Sequence, residues 1–350
     1  MTSLRQASGL CAIAVAAWTL ATAAPASAQD DVAAFYKGKT IQLRVGSAAG
    51  GGYDLIARTI ARHMGRHIPG NPTIAVQNVT GGGGLKLLND LYTVAAKDGT
   101  VIGAGISGTP TGALLTPAVT KFDPRHFSWL GSAGTETFLV VITDRAPVQK
   151  LEDLFKRELI VGASASGGAS VDFPIVANAI LGTKFKVVSG YPAANVVVKI
   201  AMPAGEVDGC SVYTLSGIRA QHAREFADGK IRILAQWGMK PDPQIPDVPL
   251  MPLGTSKADH QLFELLYSRG NYGRPYMLPP GVPPARIAAL RTAFAALFKD
   301  STFLAEAKKQ KLEVDHISAA DITSLTERVM TTPPEVVSRI QSLLPGGGVQ

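Results

Sequence analysis

A run of three glycines, Gly50-Gly51-Gly52, lies where a short apolar strand ends and an amphipathic helix begins. Glycine lets the backbone turn tightly and expose its N–H groups. The first turn of a helix adds unpaired N–H donors and about half a positive charge. Such a junction is suited to binding a carboxylate or phosphate. The pattern equally fits a plain glycine turn with Asp54 as the helix cap, and these residues alone do not decide between the two.

Two further loops combine glycine with small hydroxyl residues after a predicted strand. The first covers residues 105–110 and contains Ser107 and Thr109, and the second covers residues 164–170. Ligands of α/β sheets bind at the carboxyl ends of the strands. If the three loops converge, they therefore form a cleft that offers hydrogen-bond donors to an oxyanion.

Other motifs that carry chemistry are weak or missing. Residues 103–108 fit G-x-G-x-x-G after a strand, but Asp123, the nearest later acid, lies in a proline-flanked loop, which argues against a dinucleotide site. His63 and His67 share a helix face without the glutamate of a metalloprotease, and we interpret them as polar-face residues. No P-loop or nucleophile-elbow sequence occurs, and Cys210 is expected to be buried. No catalytic set is found, and neither cofactor nor metal is expected.

The residues that position these loops alternate between strand and helix patterns. Residues 39–46 predict a buried strand, and apolar residues at four-residue spacing from Ile56 to Ile68 predict a helix that ends at Pro69. Residues 129–143 form a longer strand-like stretch that leads out of this first unit. The alternation predicts an α/β fold with a largely parallel sheet. Further strands are predicted at 73–78, 100–105, 159–162, 185–189, 207–212 and 231–236, a return crossing at 262–267, and further helices at 85–95, 170–181, 195–204, 283–299, 301–311, 323–331 and 334–344.

Composition and charge exclude several classes of protein. The 350-residue chain has a net charge of +7, 46% hydrophobic and 17% charged residues, which is the composition of a globular protein and not of a disordered one. The basic residues are scattered, and their densest group, Lys308-Lys309-Gln310-Lys311, is interpreted as the solvated face of a C-terminal helix. Aromatic residues, at 7%, do not alternate with the basic ones. Nucleic-acid binding is therefore not expected.

Residues 1–28 are predicted to be a secretory signal peptide. Arg5 is followed by an almost wholly apolar stretch, and Ala26-Ser27-Ala28 fits the small-x-small pattern, with the cut before Gln29. A retained membrane anchor is the alternative, but the stretch is shorter than the roughly 20 residues of a span. Cleavage leaves 322 of the 350 residues, lowers the net charge from +7 to +6, and leaves Cys210 as the single cysteine. Export argues against nicotinamide- or ATP-dependent chemistry.

Five segments, taken in their order and spacing, resemble one family of receptors. They are KTIQLRVGSAAGGGYDLIARTIARHM at 39–64, VQNVTGGGGLKLLNDLY at 76–92, KDGTVIGAGISGT at 97–109, GYPAANVVVKIAMPAGEVDG at 190–209 and GRPYMLPPGVPPARIAALRTAFAALFKDSTFLAEA at 273–307. The chain resembles the solute receptors of tripartite tricarboxylate transporters, the TctC-like extracytoplasmic binding proteins also called Bug receptors. The resemblance covers nearly all of the chain after the predicted signal peptide.

The resemblance implies a type II periplasmic-binding-protein fold, with two α/β lobes joined by two crossing strands. Lobe 1 would comprise residues 29–137 and 267–350, and lobe 2 residues 138–266, with the ligand cleft between them. In this family, main-chain N–H groups and waters hold the ligand carboxylate. Carried over to this chain, the resemblance predicts ligand contacts by Ala49, Gly50, Gly51, Gly52, Asp54, Ser107, Thr109, Ser164, Ser166, Gly167, Ser170 and Tyr191.

Two positions depart from the family pattern. Tyr53 stands where relatives commonly have threonine, and relatives often have a histidine near the position of Asp172. A tyrosine and an acid at the mouth of the cleft would favour a larger or partly cationic ligand.

The resemblance implies a receptor that is not an enzyme. It would capture a small organic acid in the periplasm and deliver it, as a monomer, to the membrane permease subunits of a transporter. Two alternatives stay open: a secreted α/β hydrolase or transferase that uses the same cleft, and a sensor that reports ligand occupancy to a membrane kinase. The residues do not identify the solute.

Overall fold

The structure, a computed structural model, describes residues 25–164 and 167–344. Most of the predicted signal peptide, residues 1–24, therefore lies outside the described residues. Two β-sheets with helices on their faces make up the described part of the chain. The strands are β1 (Thr40–Val45), β2 (Thr73–Asn78), β3 (Val101–Ala104), β4 (Ser128–Ser132), β5 (Phe138–Thr143), β6 (Leu159–Gly162), β7 (Phe185–Val188), β8 (Gly209–Thr214), β9 (Ile231–Trp237), β10 (Pro275–Leu278) and β11 (Ile317–Ser318).

Helices follow most strands, as the alternating pattern predicts. They are α1 (Pro25–Tyr36), α2 (Gly52–Met64), α3 (Leu85–Thr93), α4 (Gly112–Leu115), α5 (Ala169–Leu181), α6 (Ala194–Val196), α7 (Met202–Ala204), α8 (Leu215–Gln221), α9 (Ala223–Ala227), α10 (Lys257–Tyr272), α11 (Pro284–Leu297), α12 (Ser301–Lys309), α13 (Ala319–Met330) and α14 (Pro334–Leu343). A π-helical turn joins α6 to α7. Among the described residues, none of the helices combines the length and the apolar composition of a membrane span.

The two sheets are mixed, each with a parallel part. The first has the strand order β11-β4-β10-β3-β1-β2 and the second the order β7-β6-β8-β5-β9. β1 is parallel to β2 and β3, and β6 is parallel to β7 and β8, whereas β10 and β5 are antiparallel to their neighbours. The prediction of a largely parallel sheet is therefore correct only for β1 to β3 in the first sheet and for β6 to β8 in the second. The carboxyl ends of β1, β3 and β4 lie at the edge from which the chain leaves for the second sheet.

Two crossing segments connect the sheets and lie side by side. The stretch 129–143, predicted as one long strand, is divided into β4 and β5, because the chain leaves one sheet after Ser132 and enters the other at Phe138. The Ala133 N–H donates to the Arg274 carbonyl at 3.0 Å, and the Glu136 N–H donates to the Gly270 carbonyl at 2.9 Å. The outward crossing is therefore hydrogen-bonded along its length to the end of α10.

The predicted return crossing at 262–267 is helical and belongs to α10. Ser256 and Asp259 form a reciprocal capping box that starts this helix. Leu262, Phe263 and Leu266 are fully buried at helical spacing, so the apolar run reflects a buried helix face. A short apolar run of this kind does not by itself distinguish strand from helix.

One continuous apolar cluster runs beneath α10 through both sheets. It contains Trp129 of β4, Phe173 of α5 and Trp237 of β9, together with Phe263 and Tyr267 of α10. On the same side, α14 packs against α4 and α5. Separate clusters lie on the other faces of the two sheets. The two sheets are thus tightly packed together on the α10 side.

The first strand is buried on one face only. Ile41, Leu43 and Val45 are fully buried, whereas Thr40 and Gln42 on the opposite face are exposed. The prediction of a buried strand is therefore correct for half of its side chains.

Candidate functional site

The glycine junction connects the carboxyl end of β1 to the first turn of α2. Gly50 has a φ of 80°, a left-handed conformation that favours glycine, and Gly51 is the extended N-cap residue of the helix. Hydrogen bonds among the described residues leave the N–H groups of Gly51, Gly52 and Tyr53 without an acceptor. The junction therefore presents unpaired donors at a helix N-terminus, where negative charge is favoured.

Asp54 holds this loop in place and is not the helix cap. Its carboxylate, 1% exposed, accepts hydrogen bonds from the Gly50 N–H at 2.8 Å, from Arg58 Nε at 2.9 Å and from Asn78 Nδ2 at 2.8 Å. Asn78 also donates to the Ser47 carbonyl at 2.9 Å. Burial raises the pKa of Asp54, but the three donors outweigh burial and lower the pKa below its usual value. The charged carboxylate thus fixes the loop from behind.

Tyr53 extends from the start of α2 to the crossing segments. Its hydroxyl donates to the Gly273 carbonyl and accepts from the Ser107 N–H, both at 3.3 Å. Burial raises the pKa of the Tyr53 hydroxyl, and the nearby charge of Glu136 raises it further. Tyr53 is therefore a neutral link between the glycine loop, the loop after β3 and the return crossing.

The loop after β3 is mostly buried. Ser107 is 4% exposed, and its N–H is occupied by Tyr53. Gly108 packs against Arg269, since a Cβ at this position would lie 3.2 Å from the arginine side chain. The backbone of Thr109 begins a short 3-10 helix, and its side chain lies outside the described part of the structure.

The loop after β6 is organised by hydroxyl groups and carries no charged side chain. The Ser164 N–H and hydroxyl lie 3.1 and 3.0 Å from the hydroxyl of Ser170, which is 8% exposed. Gly167 is exposed, and a Cβ there would lie 3.9 Å from the Thr116 methyl group of the first unit. Ser166 lies outside the described residues. This loop therefore reaches the first unit near α4.

Tyr191 follows β7 and lies beside the same loop. Its N–H donates to the Ala163 carbonyl at 3.2 Å, and its hydroxyl donates to Glu206 at 3.0 Å. The Glu206 carboxylate is therefore the partner of the tyrosine hydroxyl in this structure. Its predicted contact with a ligand stays a prediction, as do those of the other residues carried over from the resemblance.

Asp172 is not an acid at the mouth of a cleft. Its side chain and that of Arg269 are each 1% exposed, and Arg269 Nη2 lies 2.8 Å from Asp172 Oδ2. Arg269 Nε also donates to the Thr111 hydroxyl at 3.2 Å. The expectation that Asp172 favours a partly cationic ligand is therefore wrong, because Arg269 neutralises this buried carboxylate.

A second buried ion pair lies where the crossing segments meet. Arg274 contacts Glu136, and the Ser216 hydroxyl links the two, accepting from Arg274 at 2.8 Å and donating to Glu136 at 3.1 Å. Arg274 also donates to the Glu313 carbonyl at 2.9 Å. Burial raises the pKa of Glu136, although the charge of Arg274 opposes this shift.

A cavity of about 700 Å³ lies beside this pair, between the two units. Its walls come from the crossing segments, from residues 215–219 and 242–244 of the second unit, and from residues 304–315 of the first. The apolar wall residues Leu215, Ala307, Leu312 and Val314 belong to, or pack against, the two smaller apolar clusters. None of the residues carried over from the resemblance lines this cavity.

Several residues at the site carry no sequence motif. Asn78, Arg269 and Arg274 hold the loops and the crossings, and none of them was singled out in the sequence. Asn78 ends β2, so a polar residue at the carboxyl end of a neighbouring strand was an available signal. Arg269 and Arg274 lie in the mixed stretch YSRGNYGRPY, which gives no comparable signal.

The remaining candidates from the sequence have structural roles. His63 at the end of α2 lies against Glu306, and His67 in the 3-10 turn after α2 lies 2.7 Å from Asp300, so both histidines help to hold α12 in place. Cys210 is fully buried on β8, as predicted, and burial raises the pKa of its thiol to about 12. The described residues include no group of three or more histidine, cysteine, aspartate or glutamate side chains that could hold a metal ion.

Comparisons with known proteins support the fold. No protein-family model matches the chain, and no curated protein matches its sequence. Solved structures do match. MatC from Rhodopseudomonas palustris with bound malate has 18% identity and a TM-score of 0.65, over 85% of this chain and 99% of that one.

Two further structures are similar to the same extent. The periplasmic binding protein BugD has 18% identity and a TM-score of 0.65, over 88% of this chain and 98% of that one. A Rhodopseudomonas palustris protein with adipate has 19% identity and a TM-score of 0.65, with the same coverage. The predicted fold, two α/β lobes as in Bug-type binding proteins, is confirmed.

Proposed function

We propose that this protein is a periplasmic solute receptor that binds a small carboxylate-bearing solute between two lobes. The unpaired N–H groups at the start of α2 carry this proposal. They lie at the carboxyl end of β1, where ligands of α/β sheets bind. Structures with the same fold hold malate and adipate, which have the carboxylate chemistry that a helix N-terminus favours.

The lobes proposed are residues 29–137 with 267–350, and residues 138–266. The two hydrogen-bonded crossing segments would then act as the hinge, because they are the connections between the sheets. Ligand binding to both lobes would favour a closed form, and the permease subunits of a tripartite tricarboxylate-type transporter would bind that form in preference to the open one. The predicted signal peptide would place the receptor in the periplasm.

Thermal unfolding of residues 29–350 against a panel of carboxylic acids tests the proposal. A ligand at 100 times its Kd adds about 2.7 kcal/mol to the free energy of unfolding. We expect a few acids to raise the midpoint and to be recovered unchanged by mass spectrometry. A midpoint that no acid raises would contradict carboxylate binding, and conversion of the acid would indicate an enzyme.

The variant Gly52→Pro tests the glycine junction itself. Proline is well tolerated at the first position of a helix and removes one of the unpaired N–H groups. The extended Gly51, with φ −80° and ψ 168°, suits a residue before proline. Nothing lies within 4 Å of a Cβ at position 52. We expect Gly52→Pro to weaken acid binding about tenfold, since a hydrogen bond to a charged group contributes about 1.5–3 kcal/mol.

Gly52→Ala is the matched control because it adds a Cβ and keeps the N–H. It should bind acids as the unmodified protein does. Equal binding by both variants would show that the ligand does not use this donor, and the proposed site would then be wrong even if the receptor function were right.

A further inference from the structure

We propose that the cavity beside the crossing segments is a second anion site, which takes the carboxylate or phosphate group of a small solute on Lys308 and Lys311. This goes beyond the function proposed for the glycine junction. The volume of about 700 Å³ is that of a small-molecule pocket. Both lysines line it, whereas Lys309 between them does not.

The acidic groups in the cavity wall already have donors from the protein. These contacts are Glu136 with Arg274 and Ser216, Glu313 with Arg219, Asp242 with the Thr137 hydroxyl and the Gln244 N–H, and Asp315 with the His316 N–H. Lys308 and Lys311 are exposed, and no hydrogen bond or ion pair among the described residues involves their ammonium groups. An ammonium offers three donors and no acceptor, so both side chains are available to the oxygens of an anion in the cavity.

The backbone of Lys311 gives an independent reason to assign it a role. Lys311 has a φ of 56°, in the left-handed region that residues with a Cβ disfavour. It follows the last turn of α12: the Leu312 N–H donates to the Ala307 carbonyl and the Lys311 N–H donates to the Lys308 carbonyl. These two bonds define a Schellman motif, in which the position of Lys311 is usually glycine.

The same chain uses glycine in this turn elsewhere. Gly205 after α7 has a φ of 77° and Gly229 after α9 has a φ of 70°, with the same pair of hydrogen bonds around each. Lysine replaces glycine in the turn that borders the cavity. A disfavoured conformation that persists in a well-formed turn indicates that the side chain has a function. We assign that function to binding of an anion in the cavity.

Site-resolved lysine labelling tests the proposal directly. The protein is acetylated with and without citrate or inorganic phosphate, at equal ionic strength set with sodium chloride, and each lysine is quantified by mass spectrometry. We expect protection of Lys308 and Lys311 and unchanged labelling of Lys309. Protection by citrate alone identifies a carboxylate ligand, and protection by phosphate alone identifies a phosphate. No protection by either anion, or equal protection of Lys309, would overturn the proposal.

The variant Lys311→Gly separates binding from stability. Removing the disfavoured conformation should raise the unfolding midpoint by about 2 °C, and loss of the ammonium should weaken binding of the protecting anion about tenfold. Lys309→Gln is the matched charge control and should bind as the unmodified protein does. Unweakened anion binding by Lys311→Gly would overturn the assignment.

Gly52→Pro distinguishes the two sites. If the cavity is a separate site, Lys308 and Lys311 stay protected in this variant even when acid binding at the glycine junction is lost. Loss of their protection in Gly52→Pro would show that the lysines only sense ligand at the junction, and the second site would be rejected. Failure of the junction proposal leaves this result unaffected.

Discussion

Two buried arginines, Arg269 in the last turn of α10 and Arg274 just after this helix, hold their carboxylate partners in different ways. Arg269 and Asp172, each 1% exposed, are in contact at 2.8 Å, but both Asp172 oxygens and Arg269 Nη1 have no hydrogen-bond partner among the described residues. Arg274 and Glu136 are 6% and 4% exposed, and they share the Ser216 hydroxyl. The first pair is fully buried and incompletely hydrogen-bonded, whereas the second lies beside a cavity.

The difference shows that burial and hydrogen bonding are separate properties of an ion pair. The Arg269 pair joins α5 to α10 on the side of the apolar cluster, and both of its side chains are 1% exposed. A buried charge that loses its partner there has no substitute. The Arg274 pair has further partners in the Ser216 hydroxyl of α8 and in the Glu313 carbonyl after α12. Removal of one partner should therefore cost much more in the first pair than in the second.

Asp172→Asn should have the largest effect. It keeps the shape of the side chain but leaves the Arg269 guanidinium buried without a counter-charge, and breaking a buried pair costs about 3–5 kcal/mol. Urea unfolding at pH 7 measures this loss in the free energy of unfolding. A loss below about 1 kcal/mol would show that the Arg269 guanidinium does not depend on the Asp172 charge.

The double variant Asp172→Leu with Arg269→Met is the control for that result. Replacement of a buried ion pair by apolar residues of similar size is often neutral or stabilising. The double variant should therefore recover most of the stability that Asp172→Asn loses. If it is as unstable as the single variant, steric packing around α5 explains the loss, and the charge does not.

Glu136→Gln should lower the free energy of unfolding by less, about 1–2 kcal/mol. Arg274 keeps the Ser216 hydroxyl and the Glu313 carbonyl as acceptors, and the cavity gives water access. Burial also raises the pKa of Glu136, so the neutral form is less unfavourable there. Urea unfolding of Glu136→Gln at pH 7 measures this loss. A cost equal to that of Asp172→Asn would remove the distinction between the two pairs.

Asp54→Asn extends the comparison to a pair with one exposed partner. Asp54 is 2% exposed in its side chain, but Arg58 is 41% exposed, and we expect a loss of about 1 kcal/mol at pH 7. The pKa of Asp54 is lowered in the folded protein from its ordinary 3.8. Its contribution is therefore present above pH 3.8 and is lost as the pH falls through the folded value.

Urea unfolding of the two proteins between pH 7 and pH 3 checks this sign. The stability difference between the unmodified protein and Asp54→Asn should be constant at neutral pH and should shrink below pH 3.8. A difference that grows on acidification would mean that the neutral carboxyl is the stabilising form.

The sequence predicted the regular elements well, because their signals are local. The strands at 73–78 and 159–162 are found with the predicted ends, and α2 has the predicted buried stripe that includes Ile56 and Ile60. The spacing of apolar residues, together with glycine or proline at the ends of a segment, is sufficient to predict such strands and helices. The return crossing was misassigned because its apolar run has no period long enough to separate strand from helix.

The partners of the charged residues could not be predicted in the same way. The contact of Asp172 with Arg269 joins positions far apart in the chain, and only the packing of α5 against α10 brings them together. The same holds for Glu136 with Arg274. The sequence showed that Asp172 departs from the family pattern, but it did not show that the charge is neutralised. Whether the charge of Asp172 is neutralised depends on which residue the folded chain places beside it.

Asp90→Asn should have the smallest effect. Lys86 and Asp90 form a pair four residues apart on α3, with side chains 56% and 34% exposed. Exposed pairs contribute about 0.2–1 kcal/mol, and lysine before aspartate is the less favourable order along a helix. We therefore expect a loss of at most about 0.3 kcal/mol, abolished in 1 M sodium chloride because salt screens exposed charges. A salt-independent loss near that of Glu136→Gln would mean that side-chain exposure does not determine how much stability an ion pair contributes. The difference between the pairs of Arg269 and Arg274 would then have another cause.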